Sequence, residues 1–434
     1  MTAIEIISLI NDLLFGFALL GLTAMVLGFL RLAWLHRRLR PAALEREAAL
    51  LAADLPASAD LPHVLIQLPT FNEGAIVTRV LEAAAALDWP KDKLHIQLLD
   101  DSTDATTTIG REAVAALAAR GFDGELIHRE DRAGFKAGAL QFGIEKAPHP
   151  FVAILDVDYV PAPDFLIQCM KALLAEEKLA FAQARFDFLN GEENWLTRAQ
   201  VLMLDTHLAI EQATRSWSGQ VLPFNGTCGV WRRAAIIDAG GWQGDTLAED
   251  MDLSYRAHLR GWHAGFLISV PVMGELPTTV AAWTLQQKRW SKGFAQVAKK
   301  TLPRLRGSDF SAAQKRDALL HLMTWWAIPL FGLAAVTGVI GLFLQADSMP
   351  YMVAALIVAL LIGEGVHLHA TWVANRLLRR WSAAKFLLVF ASVPVLMVLS
   401  TLSNLRGVIE AKIGKASAFA RTPKRGLTGP GSQG

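Results

Sequence analysis

The polarity of the chain follows two regimes. Long, nearly unbroken apolar runs lie near the N-terminus and in the C-terminal third, and the middle alternates short apolar runs with amphipathic ones. The first long run, Leu13 to Leu30 (LLFGFALLGLTAMVLGFL), has the length that a bilayer core demands of a helix. His321 to Leu344 and Tyr351 to Trp372 predict two further spans, paired as a hairpin around the turn QADSMP. The last run, Phe386 to Leu402, differs. Arg379, Arg380 and Lys385 precede it, Arg406, Lys412 and Lys415 follow it, and Pro394 interrupts it. A single span cannot put both basic ends on one side, so the pattern predicts a re-entrant or interfacial segment.

Between Pro41 and Asp309 no run is long enough to span. HVLIQL (63–68) precedes an Ala-rich helical pattern near 74–87, and LHIQLL (94–99) precedes one near 105–120. A short strand near 125–128 leads to a helix from about 136, FVAIL (151–155) precedes a helix near 163–175, and LAFAQA (179–184) follows. This alternation predicts an α/β fold around a mostly parallel, doubly wound sheet. The chain then divides into an N-terminal span with its basic flank (1–40), an α/β domain (41–277), an amphipathic stretch (278–318), further membrane segments (319–411) and a tail (412–434). The closing residues, LTGPGSQG, predict disorder.

Composition agrees with that division. Of 434 residues, 53% are hydrophobic and 19% charged, too apolar for an ordinary soluble protein. The net charge of +2 offers no basic field for nucleic acid. A cleaved signal peptide needs positive residues before its apolar run; Glu5 and Asp12 stand there instead, and Arg31, Arg37, Arg38 and Arg40 come after. The same asymmetry predicts the N-terminus outside and the α/β domain in the cytoplasm. A re-entrant last segment also keeps the basic RTPKRG inside. Cys169 and Cys228 have no metal-ligand spacing and support no disulfide framework.

Three predicted strands end in polar clusters. PTFNE (Pro69 to Glu73) follows the first, DDSTD (Asp100 to Asp104) the second and DVD (Asp156 to Asp158) the fourth. One acidic strand end is an ordinary helix cap. Three of them meet at the edge where open α/β sheets bind ligands, and so predict a site. No GxGxxG follows the first strand and no GxxxxGK[ST] occurs, which argues against a nicotinamide-dinucleotide fold and a P-loop. Asp156 and Asp158 suit a hard cation, Mg2+ or Mn2+, whose remaining ligands are water and substrate phosphates. Such a cation stabilises charge on a departing diphosphate.

Glu249 and Asp250 open a helical stretch, with Asp252 after them. Capping and the helix dipole account for acidic residues there. A general base that takes a proton from a sugar hydroxyl, worth roughly 10² to 10⁴-fold, accounts for them equally well. The segment 278–300 has helical spacing, with apolar Val280, Trp283, Leu285 and Phe294 and basic Lys288, Lys292, Lys299 and Lys300. That is the pattern of an amphipathic helix on an anionic membrane surface. Within it Gln286, Gln287, Arg289 and Trp290 are concentrated; Arg289 offers a planar fork for phosphate oxygens and Trp290 a flat face for a sugar ring.

Asp100/Asp101, DVD, ED and QQKRW, in that order, resemble the family 2 inverting glycosyltransferases of GT-A fold, the cellulose, chitin and hyaluronan synthase relatives. LDDSTD, KAGAL, FAQARFDFLN, FNGTCGVWR, EDMDL and QQKRW look most like the plant cellulose-synthase-like mannan and glucan synthases, types A and C, over roughly residues 60–300. The resemblance implies a Rossmann-like GT-A domain that transfers a hexose from GDP-mannose or UDP-glucose to a growing β-glycan acceptor, with a leaning to mannan or glucomannan. It implies that Asp100 or Asp101, with Thr70, Asn72 and Glu73, holds the nucleoside. Asp156 and Asp158 hold the metal on the diphosphate, Lys136 lies nearby, and Gln286 and Arg289 grip the diphosphate. Asp250, beside Glu249, is the base; Trp290 stacks on the acceptor, and Phe224, Asn225, Gly226 and Thr227 line its side. Two other functions fit the motifs: a single transfer that makes a glycolipid, and a catalytically silent scaffold or export subunit. The chain departs from its relatives in having Ala248 where Thr is common before the Glu–Asp pair. Few spans follow the domain, so the channel wall of the polymer synthases is expected to be either thinner here or completed by another subunit, an export subunit or a homo-oligomer. No regulatory domain is expected after the last membrane segment. The expected location is a bacterial inner membrane or a Golgi-type membrane, in contact with its lipids.

Overall fold

Strand β1 (Val64–Thr70) is buried at almost every position, as is β4 (Phe151–Ile154) beside it, which is why both read as unbroken apolar runs. They sit at the centre of a computed structural model that describes residues 2–344 and 347–414. Part of the QADSMP turn, Lys415, RTPKRG and LTGPGSQG lie outside the described residues. Helix α1 (Ala3–Ala52) leads into β1, followed by α2 (Ile76–Ala85), β2 (Leu94–Asp100), α3 (Thr106–Ala119), β3 (Asp123–His128), α4 (Phe135–Lys146), β4, β5 (Val160–Pro161), α5 (Phe165–Ala175) and β6 (Leu179–Phe188). Next come α6 (Trp195–Thr206), a π-helical turn at His207–Gln212, α7 (Ala213–Trp217), β7 (Gly229–Arg232), α8 (Arg233–Asp238), α9 (Glu249–Leu259) and β8 (His263–Gly274). The chain closes with α10 (Val280–Leu305), α11 (Ala312–Met323), α12 (Ala327–Phe343), α13 (Met349–Leu377), α14 (Ala383–Phe390) and α15 (Val393–Lys412).

The strands form one eight-stranded sheet in the order β3-β2-β1-β4-β7-β6-β8-β5. The β3-β2-β1-β4 half is parallel, as the alternation predicts. The other half is mixed: β7 runs antiparallel to both β4 and β6, β8 runs parallel to β6, and β5 runs antiparallel to β8. The sheet is therefore mostly parallel but not purely so. One apolar layer packs α2, α3 and α5 on one face, and another packs α4, α8 and α9 on the opposite face.

Four described segments are long and apolar enough to cross a membrane: Ala3–Ala52, Ala312–Phe343, Met349–Leu377 and Ala383–Lys412. Their exposed large apolar side chains, such as Phe17, Leu342, Leu361 and Val398, have no place in water and mark lipid-facing surface. Helix α1 continues past Pro41, so the domain's first residues belong to the same helix as the first span. Its end is tied down where Glu47 accepts the N–H groups of Ile268 and Ser269 at 3.3 and 2.7 Å. The last apolar run is two helices, broken at Ala391–Ser392 just ahead of Pro394.

Candidate active site

The loops after β1 and β2 are laced together. Thr103 N–H donates to Asn72 Oδ1 at 2.8 Å, Asn72 N–H to Ser102 Oγ at 2.8 Å and Gly74 N–H to Thr106 Oγ1 at 2.7 Å. The Asp100 side chain is fully buried and accepts from Thr107 Oγ1 at 2.6 Å, from Ser102 N–H at 3.0 Å and from His128 at 2.8 Å. Burial works against its charge, but these hydrogen bonds outweigh it and hold the carboxyl below its ordinary range. Asp101 takes a bidentate grip from Arg129 at 2.7 and 2.6 Å. Both carboxylates thus brace the strand ends from within. Thr70 Oγ1, beside them, is buried and has no hydrogen-bond partner.

The DVD carboxylates lie just past β4. Lys136, in the first turn of α4, donates to Asp156 Oδ1 at 2.5 Å and to the Gly226 carbonyl at 2.9 Å. Thr227 Oγ1 accepts the Asp156 N–H at 2.8 Å. Asp158 is buried beside it. Burial opposes the Lys136 charge, yet Asp156, Glu249 and Asp250 outweigh that cost and raise its pKa.

The Phe224–Thr227 loop is set by three buried polar residues. Gln183 accepts from Asn225 N–H at 3.0 Å and donates to the Thr227 carbonyl at 3.0 Å, and Gln212 donates to Asn225 Oδ1 at 2.9 Å. Ser254 receives the Phe224 N–H at 2.8 Å and donates to the Asp250 carbonyl at 2.6 Å, tying this loop to α9. Gly226 has φ +82°, and a Cβ there would lie 3.0 Å from Asp250 Oδ2 and 3.6 Å from Lys136 Nζ. The expected acceptor contact of Phe224 needs correction. Its ring is 1% exposed and packs on Phe181 and Trp231, so it anchors the loop in the core and offers a ligand no surface. Asn225 is different: its Nδ2 is buried without a partner.

Asp250 stands in the first turn of α9, its Oδ1 accepting the Met251 N–H at 2.8 Å. Burial and the neighbouring Glu249 push its carboxyl up to about 7, against the pull of Lys136 and Arg289. Burial also raises Glu249, with the Asp156 charge adding to it. Helix α10 reaches α9 at Gly293, where an added Cβ would meet Ala248 Cβ and N at 2.9 Å. Gln286, Arg289, Trp290 and Gly293 fall at spacings of three and four, on one stripe of α10. Gln296 accepts the Leu247 N–H at 2.9 Å, and Lys300 meets Asp252 at 3.0 Å. On its far side, Ser291 Oγ donates to the Asn404 carbonyl of α15 at 3.2 Å, and Lys288 pairs with Glu410 at 2.7 Å.

The structure therefore brings Lys136, Asp156, Gly226, Thr227, Glu249, Asp250 and Arg289 to one place. A family model described as Glycosyltransferase like family 2 matches residues 62–293, just over half of the chain. The chain belongs to that family. Glucomannan 4-beta-mannosyltransferase 2 of Arabidopsis thaliana is 43% identical over 247 residues, 56% of this chain and 46% of that protein. Probable glucomannan 4-beta-mannosyltransferase 6 of Oryza sativa subsp. japonica is 40% identical over 269 residues, 61% of this chain and 47% of that protein. This family 2 chain thus spans about half the length of the curated relatives it matches. Among solved structures, the mannosyltransferase PcManGT from Pyrobaculum calidifontis, in complex with GDP-Man and Mn2+, superposes with TM-score 0.57 at 20% identity, covering 90% of this chain and 100% of that one. That likeness is one of fold and identifies the family 2 domain as a Rossmann-like GT-A fold.

Proposed function

We propose that this family 2 chain is an inverting β-glycosyltransferase that moves mannose from GDP-mannose to the end of a growing β-linked mannan or glucomannan. One observation carries the proposal: Asp250, its carboxyl raised to about 7, meets the Lys136–Asp156 pair at Gly226, at the carboxyl ends of the strands. The names of the relatives, glucomannan mannosyltransferases, and of the structural neighbour with its GDP-Man support the choice of sugar and nucleotide.

In this reading the acceptor hydroxyl attacks the anomeric carbon from the face opposite the diphosphate. Its proton passes to Asp250, the new C–O bond forms as the bond to the phosphate oxygen breaks, and GDP departs. A carboxyl near 7 is ionised often enough to act as base and basic enough to take the proton. Lys136 and Arg289 place positive charge where the diphosphate becomes more negative, and Gln286 assists on the same helix stripe. Thr70, with its unmet hydroxyl, and the Asn72–Glu73 loop braced by Ser102 and Thr103 face the nucleoside, with Asp100 and Asp101 beside them. Asn225 and Trp290 face the acceptor sugar. Asp156 and Asp158 fit a divalent ion, two hard oxygen donors of which one already holds the Lys136 ammonium. Such an ion, Mg2+ or Mn2+, supplies further positive charge against the leaving diphosphate when bound.

The α/β domain lies in the cytoplasm with the N-terminus outside. Two ion pairs support a re-entrant α14–α15. Lys385 at its start meets Glu192 of the α/β domain at 2.8 Å, and Glu410 near its end meets Lys288 of the amphipathic α10 at 2.7 Å, so both ends rest on segments expected on the cytoplasmic side.

The test supplies the protein in nanodiscs with radiolabelled GDP-mannose or UDP-glucose and Mn2+, then separates alkali-insoluble polymer from solvent-extractable lipid. Label from GDP-mannose in polymer that β-mannanase degrades is the expected result. Label confined to extractable lipid supports a single-transfer enzyme instead, and label from UDP-glucose alone overturns the choice of donor.

A further inference from the structure

A cavity lies away from the acidic cluster, where the basic flank of α1 meets the end of α13. The two helices run parallel and in step: a Cβ on Gly16 would touch Met352, one on Gly363 would touch Val26, and the rings of Phe29 and His367 lie 6.0 Å apart. Just beyond, they part around a cavity of about 140 Å³. His36, Arg37 and Arg40 of α1 and His369 of α13 line it, with Ile210 and Val373 closing the apolar side. The α1 residues recur at helical spacing, so one stripe of that helix faces the cavity.

Three features separate this wall from ordinary packing. Neither Arg37 nor Arg40 forms an ion pair with a carboxylate among the described residues, whereas Arg31 of the same helix pairs with Asp317 at 3.8 Å. His36 is 2% exposed and its ring stacks on Trp217 at 5.3 Å, yet its Nε2 has no hydrogen-bond partner. A buried polar nitrogen left open calls for a partner from outside the chain. Finally, the cavity lies next to the apolar stretches of α1 and α13 that are long enough to span a membrane. Leu27 and Leu30 on α1 and Leu361 and Ile362 on α13, one to three turns before the cavity's residues on each helix, are exposed apolar side chains. Trp34, exposed with the Arg38 guanidinium 5.4 Å from its ring, marks the interface itself.

We propose that this cavity holds the phosphate headgroup of an anionic phospholipid. Two guanidinium forks and an imidazole match the oxygens of a phosphodiester. The apolar helix faces beside the opening receive the acyl chains, as in basic pockets between membrane helices that bind anionic lipid.

Native mass spectrometry of the full chain tests this, after release from nanodiscs of equal parts palmitoyl-oleoyl phosphatidylglycerol and phosphatidylcholine. The expected result is a retained phosphatidylglycerol adduct favoured by about tenfold or more over phosphatidylcholine. Arg37→Gln with Arg40→Gln lowers it to the phosphatidylcholine level, while Arg38→Gln, outside the cavity, leaves it unchanged. If the double variant does not fold, Arg40→Gln alone is expected to weaken the adduct, and the wild-type lipid preference stands as an independent readout. Inorganic phosphate at tens of millimolar leaves the adduct in place. Equal retention of the two lipids, an adduct that survives loss of both arginines, or displacement by inorganic phosphate overturns the proposal.

Discussion

Gly226 is the residue at which the Lys136–Asp156 pair and the Asp250 carboxylate meet. It holds a left-handed φ of +82° that an L side chain adopts only at a cost of about 1–2 kcal/mol. Its missing Cβ also leaves room for Asp250 Oδ2, at 3.0 Å. Gly226→Ala is therefore expected to lower the melting temperature slightly and to cut turnover far more, because it displaces the proposed base; thermal melts and nucleotide release measure the two effects. The carboxylates of this candidate site were legible in the sequence, since a single acidic strand end is explained by capping but three such clusters, followed in order by ED and QQKRW, are not. The residues that hold them were not. Gln183, Gln212, Ser254 and Arg129 are buried polar side chains whose role lies in distant partners, such as the Ser254 bridge from Phe224 to Asp250. The spacing of four between Asp250 and Ser254 was the one available signal. Phe224 misled for the opposite reason: its neighbours Asn225 and Gly226 are part of the site, while its own ring belongs to the core.

At the scale of elements, the position of α10 decides whether Arg289 reaches the acidic pair. It packs against the start of α9 at Gly293, where an added Cβ would lie only 2.9 Å from Ala248, the residue before that helix. Gly293→Ala is expected to push the helices apart. A shift of about 1 Å can cost roughly 10²-fold in rate, so kcat is predicted to fall with a small change in stability, read by steady-state kinetics beside a melt. Strands β1, β2 and β4 were readable because both of their faces are buried and their apolar runs are continuous. Strand β7 was not, being four residues long and inserted antiparallel between β4 and β6. Strand β8 is apolar but carries Gly265, Ser269 and Pro271 within it, which break up the continuous apolar run that marks β1, β2 and β4. Helix α1 runs through Pro41 because proline removes one backbone donor and bends a helix without having to end it when tertiary contacts hold both sides.

The whole molecule is a family 2 glycosyltransferase domain resting on apolar helices, joined to them by buried ion pairs. Arg380 of the α13–α14 connection takes Asp205 of α6 at 2.7 and 2.9 Å and Asp187 of β6 at 2.7 Å, and Arg215 pairs with Asp317. The proposed orientation, argued from the basic flanks, has a direct check. The native cysteines, Cys169 and Cys228, are both buried, and burial raises both thiols, so they give little background. Asp60→Cys and Asp347→Cys sit at exposed positions on opposite ends of the predicted arrangement. A membrane-impermeant maleimide is expected to label Asp60→Cys only from the cytoplasmic side and Asp347→Cys only from the other; labelling of both from one side contradicts the assigned topology. The long apolar runs made the membrane region legible, while the contacts that seat the domain on it were invisible, since each joins residues far apart in the chain.

The central claim is that Asp250 removes the acceptor's proton. Its folded pKa of about 7 sits above the ordinary 3.8, so the carboxyl is protonated, and useless as a base, over a window of pH where a free aspartate is ionised. GDP release from GDP-mannose with Mn2+, measured against pH for the wild type and for Asp250→Asn, tests this most directly. The account predicts a wild-type rate that declines as pH falls below about 7 and a variant slower by roughly 10² to 10⁴-fold with that limb absent. A variant as fast as the wild type, or one that keeps the same pH limb, would contradict it.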